Sequence, residues 1–97
     1  IFEKYYGRIK NIHLKDVRRD IFIKSKREQL CFMDAVRAGL FTVPSDGCSD
    51  FKNIFKLLIE SDFSGWLVVE AELDPAKANP YNYALKARKF LRQQFGC

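Results

Sequence analysis

Two segments of the chain have the hydrophobic pattern of β-strands. Between residues 8 and 16, Ile12 and Leu14 alternate with polar neighbours, which predicts a strand with one apolar face. Residues 66–72 are apolar until two glutamates near the end, a pattern typical of a strand buried in a parallel sheet. About 50 residues separate the two segments. This distance favours helical connections between parallel strands over a hairpin.

The remaining apolar residues recur at helical spacing, and the breaks between them contain Gly, Pro, Ser, Asn and Asp. The spacing predicts the end of a helix at 1–6, closed by a left-handed Gly7, and a helix over about 26–38 after a long polar loop. It also predicts a helix over 51–60, capped by Ser49 or Asp50. A last helix is predicted over 81–95, started by Asn79–Pro80 and closed by Gly96. The turn-rich residues 42–49 predict a loop of defined geometry.

The order of these elements indicates an α/β fold built from parallel βα units. Two parallel strands leave both sheet edges open and do not form a stable sheet alone. A complete (β/α)₈ barrel takes about 250 residues, so 97 residues hold only about two of its eight units. We therefore expect residues 1–97 to be the C-terminal part of a single larger domain, a barrel or a doubly wound sheet, whose N-terminal part is missing.

Composition narrows the class of protein. The charge of +5, the 47% hydrophobic residues and the 14% aromatic residues exclude a disordered tail. No apolar run approaches the roughly 20 residues that cross a bilayer, so no membrane partner is expected. Three cysteines at irregular spacing and a single histidine argue against a disulfide framework and a zinc knuckle, and favour the cytoplasm. The basic residues are scattered, so nucleic-acid binding is not expected, although a basic helix over 81–95 keeps that alternative open.

Polar side chains alternate with the apolar ones at the ends of both predicted strands. His13 and Lys15 lie opposite the apolar face of the first strand, and Glu70 and Glu72 lie opposite that of the second. In a barrel all four would converge at the C-terminal rim, where barrel enzymes have their active sites. Imidazole and carboxylate are suitable ligands for divalent Mn, Co or Zn. The alternative is structural: a hydrogen-bonded His13 and a Glu70 that forms a salt bridge with Lys15.

Three motifs together resemble a known family. They are the HLKD sequence at 13–16, the FTVP-x-DG sequence at 41–47 and the VVEAE-x-DPA-x-ANP sequence at 68–80. Nearly the whole chain is similar to the C-terminal third of the inosose dehydratases (2-keto-myo-inositol dehydratases), a family of the xylose isomerase-like TIM barrels. The combination is far more specific than any one motif. The resemblance implies a (β/α)₈ barrel of that type.

The resemblance also implies roles for individual residues. It assigns His13 and Glu70 as metal ligands, with a further Glu and Asp expected on strands that precede residue 1. The metal would be a divalent cation, Mn or Co, and the family allows glutathione as a second cofactor. The other candidates are Lys15 and Glu72 as catalytic residues and Arg18 and Asp46 as substrate-binding residues.

The reaction implied by the resemblance is that of a hydro-lyase in inositol catabolism. It dehydrates 2-keto-myo-inositol (scyllo-inosose), a cyclic polyol ketone, to a trihydroxycyclohexanedione through a metal-stabilised enediolate. The resemblance implies a cytoplasmic enzyme with no nucleic-acid or membrane partner, and it allows a homo-oligomer of the full-length form. The isolated chain is expected to be inactive. The alternatives are a metal-dependent ketose isomerase or epimerase, and a basic nucleic-acid-binding module.

Three positions depart from the family pattern. Ser45 replaces a usual Gly, Cys48 replaces an apolar residue, and Leu73 stands where Gln is usual. If the family's Gly has a positive φ, Ser45 in its place costs on the order of 1 kcal/mol of strain. These departures therefore concern loop geometry and substrate fit, and none touches a proposed metal ligand.

Overall fold

Five helices and two small sheets make up the chain. The computed structural model describes all 97 residues, Ile1–Cys97. The elements are α1 (Phe2–Tyr5) with a 3₁₀ turn (Tyr6–Arg8), β1 (Asn11–Leu14), β2 (Asp16–Val17), α2 (Arg19–Arg27), α3 (Phe32–Arg37), β3 (Phe41–Thr42), α4 (Phe51–Glu60), β4 (Trp66–Val69) and α5 (Pro80–Phe95). No helix is both long and apolar enough to span a membrane.

The parallel strand pair predicted from the sequence is present. β1 and β4 pair in parallel, with Ile12 opposite Leu67 and Leu14 opposite Val69. Helix α4 lies between them in sequence, as a parallel connection requires. A second pair, β2 with β3, is antiparallel, and helices α2 and α3 lie between these two strands in sequence. We call this segment, residues 16–42, the excursion between β1 and α4.

The hydrophobic core lies on one face of the parallel pair. Its buried residues are Leu14 of β1, Phe51, Phe55 and Leu58 of α4, and Leu91 of α5. Ile12, Leu67 and Val69 pack against this cluster, so the predicted apolar faces of both strands are confirmed. The other face is open: Trp66 of β4 is 74% exposed. The polar residues that alternate with the core residues therefore point to that open face.

The two long helices begin where their capping residues predict. The Asp50 side chain accepts a hydrogen bond from the backbone N–H of Lys52 at 3.1 Å, at the start of α4. The Asn79 side chain accepts one from Asn82 at 3.1 Å, with Pro80 in the first turn of α5. Gly96 closes α5 in the left-handed conformation, with φ of 72°.

Several predicted boundaries were wrong. Gly7 lies inside the 3₁₀ turn and is not left-handed. The polar stretch after β1 is helix α2 rather than a loop, because Lys and Arg are good helix formers and charge alone does not indicate a coil. The helix predicted over 26–38 is only α3, since a left-handed Gln29 (φ 51°) ends the preceding helix. Both strands of the parallel pair are shorter than predicted, since β1 ends at Leu14 and β4 ends at Val69.

Candidate active site

The backbone pairing places a polar cluster just beyond the ends of the parallel strands. His13 lies opposite Val68 in the ladder, and the backbone N–H of Glu70 donates to the carbonyl of Leu14 at 3.0 Å. This last hydrogen bond extends the pairing by one step past β4. It therefore brings Glu70 beside His13 and Lys15 on the open face of the sheet.

Glu70 is the centre of this cluster, because each of its carboxylate oxygens has a different partner. His13 Nδ1 lies 3.3 Å from Glu70 Oε2. Lys15 Nζ lies 3.3 Å from Glu70 Oε1 and 3.5 Å from Glu72 Oε1. The structure thus brings together all four residues that the alternation placed at the rim. The salt bridge between Glu70 and Lys15, which the structural alternative predicted, is also present.

The charge on Glu70 is stabilised by its neighbours. The hydrogen bond from Lys15, and then that from His13, hold the pKa of Glu70 below its ordinary value. Glu70 is therefore a carboxylate at neutral pH. Its side chain is 40% exposed and that of His13 is 60% exposed, so both can be reached from the open face.

His13 and Glu70 have donor atoms of the types that bind divalent cations, an imidazole nitrogen and carboxylate oxygens. In this structure the two donors contact each other, with His13 Nδ1 3.3 Å from Glu70 Oε2. No group of three or more His, Cys, Asp or Glu side chains is placed to hold a metal ion. The chain therefore contains a suitable pair of ligands and not a complete metal site.

The two residues predicted to bind substrate form a second cluster. Arg18 Nη2 donates to Asp46 Oδ2 at 3.2 Å and to the Tyr83 hydroxyl at 3.2 Å. Thr42 Oγ1 donates to the same Asp46 oxygen at 2.6 Å, and Lys86 pairs with Oδ1. This Asp46 cluster connects the loop after β3 to helix α5. It makes no hydrogen bond to the four residues of the rim, His13, Lys15, Glu70 and Glu72.

The Asp46 cluster holds a charged carboxylate. Burial favours the protonated form of Asp46, but the hydrogen bonds from Lys86 and Thr42 and the charges of Lys86 and Arg18 outweigh that effect. The pKa of Asp46 consequently lies below its ordinary value. Both of its oxygens are occupied by groups of the chain itself, so the structure pairs the two predicted substrate residues with each other and with protein.

Asp16 is a buried anchor of the loop after β3 that was not predicted from the sequence. Its side chain is buried, and its carboxylate accepts backbone N–H hydrogen bonds from Val17 at 2.8 Å, Gly47 at 3.0 Å and Ser49 at 2.9 Å. A Cβ atom at Gly47 would collide with this carboxylate, which accounts for the glycine. A signal was available: Asp16 follows Ile12 and Leu14 in the period of the buried face, where a carboxylate must be hydrogen-bonded.

The loop between β3 and α4 also contains a residue other than glycine with a positive φ. Ser45 has φ of 81°, in the region that favours glycine. The residue lies between Asp46, which is bound by side chains, and the buried Pro44. Ser45 thus has the backbone conformation on which the predicted strain depends, and the cost itself stays a prediction.

Comparison with known proteins agrees with the architecture. Residues 1–94 match the family model described as xylose isomerase-like TIM barrel. The chain is 54% identical over 96 residues to an inosose dehydratase of Clostridium beijerinckii, 51% identical over 96 residues to one of Erwinia tasmaniensis, and 52% identical over 96 residues to one of Bacillus cereus. Each comparison covers 99% of this chain and 32% of the relative. The chain thus spans about a third of the length of these curated relatives, and the predicted fold class is confirmed.

Proposed function

The chain belongs to the xylose isomerase-like TIM barrel family, and on that premise we propose that it contributes two metal ligands and an acid–base pair to an inosose dehydratase. The observation that carries the proposal is the contact series from His13 through Glu70 and Lys15 to Glu72, in which no step exceeds 3.5 Å. The similarity to inosose dehydratases at 51–54% identity supports the choice of reaction.

We propose that His13 and Glu70 hold a divalent cation, Mn²⁺ or Co²⁺, with further ligands from outside this chain. When bound, such a cation would polarise the substrate's carbonyl group and so acidify the neighbouring C–H bond. The lowered pKa of Glu70 supports its role, because a ligand must be deprotonated to bind. The three free cysteines support a reducing, cytoplasmic setting for such an enzyme.

Lys15 and Glu72 are suited to the proton transfers of a dehydration. Glu72 has a single ionic partner, Lys15, and its side chain is 42% exposed, so it can accept the proton next to the carbonyl. The Lys15 ammonium can donate a proton to the departing β-hydroxyl, which leaves as water. Transfer of the proton from Glu72 to Lys15, across the 3.5 Å between them, then restores both groups. The substrate has lost one proton and one hydroxide, and the protein is unchanged.

For Arg18 and Asp46 we propose an indirect contribution to substrate binding. Their hydrogen bonds join the loop after β3 to the Tyr83 hydroxyl of helix α5 and to the Gly39 carbonyl, at 3.2 Å and 3.0 Å from Arg18. The loop at the rim thereby has a fixed shape before substrate arrives. A cyclic polyol ketone would be bound by this shape rather than by the charges of the pair.

The test uses the intact protein that contains these residues, loaded with Mn²⁺ or Co²⁺ and supplied with 2-keto-myo-inositol, with and without glutathione. Mass spectrometry should find a product lighter than the substrate by one water. An isomerase or epimerase would give a product of unchanged mass that gains deuterium in D₂O. That result would replace the dehydratase assignment by the alternative within the same family.

Substitutions separate the two proposed roles. His13→Ala and Glu70→Ala should each lower bound metal severalfold and remove nearly all turnover, because a site that loses one ligand is weaker and misshapen. Glu72→Gln should keep the metal and lose turnover by about 10²- to 10⁴-fold, as expected for an acid–base residue. Lys56→Gln, at an exposed pair with Glu60, is the control and should match the parent protein. Full metal content and normal turnover in both ligand variants would refute the assignment.

A further inference from the structure

An aromatic ring lies beneath the ammonium group of the proposed active site. Lys15 Nζ is 4.5 Å from the centroid of the Phe41 ring, within the range of a cation–π interaction. From this contact we propose that Phe41 is a positioning residue: it fixes Lys15, and through Lys15 it orients the Glu70 carboxylate. The inference rests on the proposed function and adds to it the element that sets the ligand's orientation.

The position of Phe41 is itself fixed by the excursion between β1 and α4. Phe41 lies opposite Val17 in the antiparallel β2–β3 pair, and its neighbour Thr42 is fully buried opposite Asp16. The ring also packs against that of Phe32 from helix α3, with centroids 5.9 Å apart. The ring is therefore held by backbone pairing on one side and by an aromatic contact on another.

A fixed ring matters because a lysine side chain is otherwise flexible. Its ammonium has three donors on a four-carbon stem and has no preferred direction of its own. Over the Phe41 ring, Lys15 Nζ lies between Glu70 Oε1 and Glu72 Oε1, at 3.3 Å and 3.5 Å. The Lys15 side chain is only 25% exposed, less than either glutamate.

The contact with Lys15 determines which carboxylate oxygen of Glu70, the proposed metal ligand, faces His13. Lys15 occupies Oε1 of Glu70, and this leaves Oε2 on the side of His13 Nδ1. A carboxylate fixed in this way offers one oxygen to a cation beside His13 instead of rotating between its two oxygens. Groups that fix a ligand's orientation commonly change metal affinity by about 10–100-fold when removed.

The experiment compares Phe41→Leu with Phe41→Tyr in the intact protein loaded with Co²⁺. Leucine keeps an apolar side chain and removes the π face, whereas tyrosine keeps the face. Phe41→Leu should weaken Co²⁺ binding about 3- to 10-fold in competition with a chelator, lower kcat by a similar factor with little change in KM, and alter the visible absorption of bound Co²⁺. Phe41→Tyr should restore all three readouts.

A matched control exists within the same excursion. The Phe22 ring of helix α2 carries the Lys26 ammonium at 4.7 Å, in an equivalent contact that lies outside the cluster at the ends of the parallel strands. Phe22→Leu should leave Co²⁺ affinity, absorption and kcat unchanged. If Phe41→Leu does not fold, as judged by circular dichroism, Phe41→Met removes the π face with a more adaptable side chain and is measured in its place.

The outcomes distinguish this inference from the function it rests on. If the parent protein binds Co²⁺ and dehydrates the substrate but Phe41→Leu matches it in affinity and absorption, the positioning role is wrong and the function stands. If Phe41→Tyr is as impaired as Phe41→Leu, Phe41 acts by packing alone and the inference fails. If the parent protein neither binds Co²⁺ nor turns over, the proposed function falls and the inference with it.

Discussion

Replacing Asp16 by Asn should destabilise the protein far more than its small chemical change suggests. Asp16 Oδ1 accepts the N–H groups of Val17 and Ser49, and Oδ2 accepts that of Gly47. An asparagine has one carbonyl oxygen and one NH₂ group. Whichever way it is oriented, its NH₂ group faces at least one backbone N–H, and two donors then meet at hydrogen-bond distance.

The magnitude follows from these three contacts. With its oxygen in the place of Oδ1, the asparagine side chain would keep the bonds from Val17 and Ser49, but as neutral rather than charged hydrogen bonds, each weaker by about 1 kcal/mol. The bond from Gly47 is lost, and an unsatisfied buried donor costs about 1–3 kcal/mol. Gly47 is exposed, so water can partly replace the lost acceptor and the low end applies to this term. The expected loss of unfolding free energy is therefore about 2–4 kcal/mol.

Urea unfolding of the intact protein at neutral pH measures this loss, and amide hydrogen exchange locates it. The Gly47 amide should exchange about 30- to 700-fold faster in Asp16→Asn, because each 1.4 kcal/mol corresponds to a factor of ten. Asp62→Asn is the control: Asp62 is exposed with φ of 52°, a conformation that Asn also adopts. A loss below about 0.5 kcal/mol with unchanged exchange at Gly47 would show that the carboxylate does not anchor the loop.

Two further predictions concern the same loop. Ser45→Gly should raise the unfolding free energy, measured in urea, by a few tenths to about 1 kcal/mol. The reason is that relief of the left-handed strain exceeds the added entropy of the unfolded chain. A destabilised variant would contradict this prediction. Because the pKa of Asp46 is lowered in the folded protein, its ion pairs contribute fully above its ordinary pKa of 3.8, and that contribution is lost as the pH falls below it. Asp46→Asn should therefore lose less stability than the parent protein as the pH falls from about 4 to about 2, and equal losses would refute the role of the pair.

The parts of the structure that were predictable are those set by a strict local period. The alternation around His13 separates an apolar face from a polar one, and in the second strand Glu70 and Glu72 alternate with the apolar Val69 and Ala71. Once two such strands are parallel, their carboxyl ends meet at one edge. The convergence of His13, Lys15, Glu70 and Glu72 needed no further information, which is why the pattern alone predicted it.

The excursion between β1 and α4 was poorly predicted, and the reason is physical. Helix α2 has many charged residues and no capping side-chain hydrogen bond, and its strand neighbours β2 and β3 are two residues long. None of these elements has a sequence pattern strong enough to predict it. Phe41 consequently appeared as one residue of a motif, and its place beneath Lys15 depends on a pairing with Val17 across 24 positions of sequence.

The sequence also did not indicate which side chains the charged residues contact in the folded chain. The family resemblance predicted Arg18 and Asp46 as substrate-binding residues, but nothing in their spacing indicated that they bind each other. Tyr83 and Lys86 of helix α5 complete the contact. Such pairs depend on how the loop and the helix pack in three dimensions. The residue types were foreseen, and the tertiary pairing was not.

The loop after β3 is held in a fixed shape by two carboxylates. It is anchored by Asp16, which binds the N–H groups of Gly47 and Ser49, and by Asp46, which binds side chains of Arg18 and Lys86. Ser45 lies beside these anchors in a conformation that costs on the order of 1 kcal/mol. The anchor at Asp16 alone is worth about 2–4 kcal/mol by the reasoning above, so it outweighs the strain at Ser45. The loop should therefore keep its shape when Ser45 is changed and lose it when Asp16 is changed.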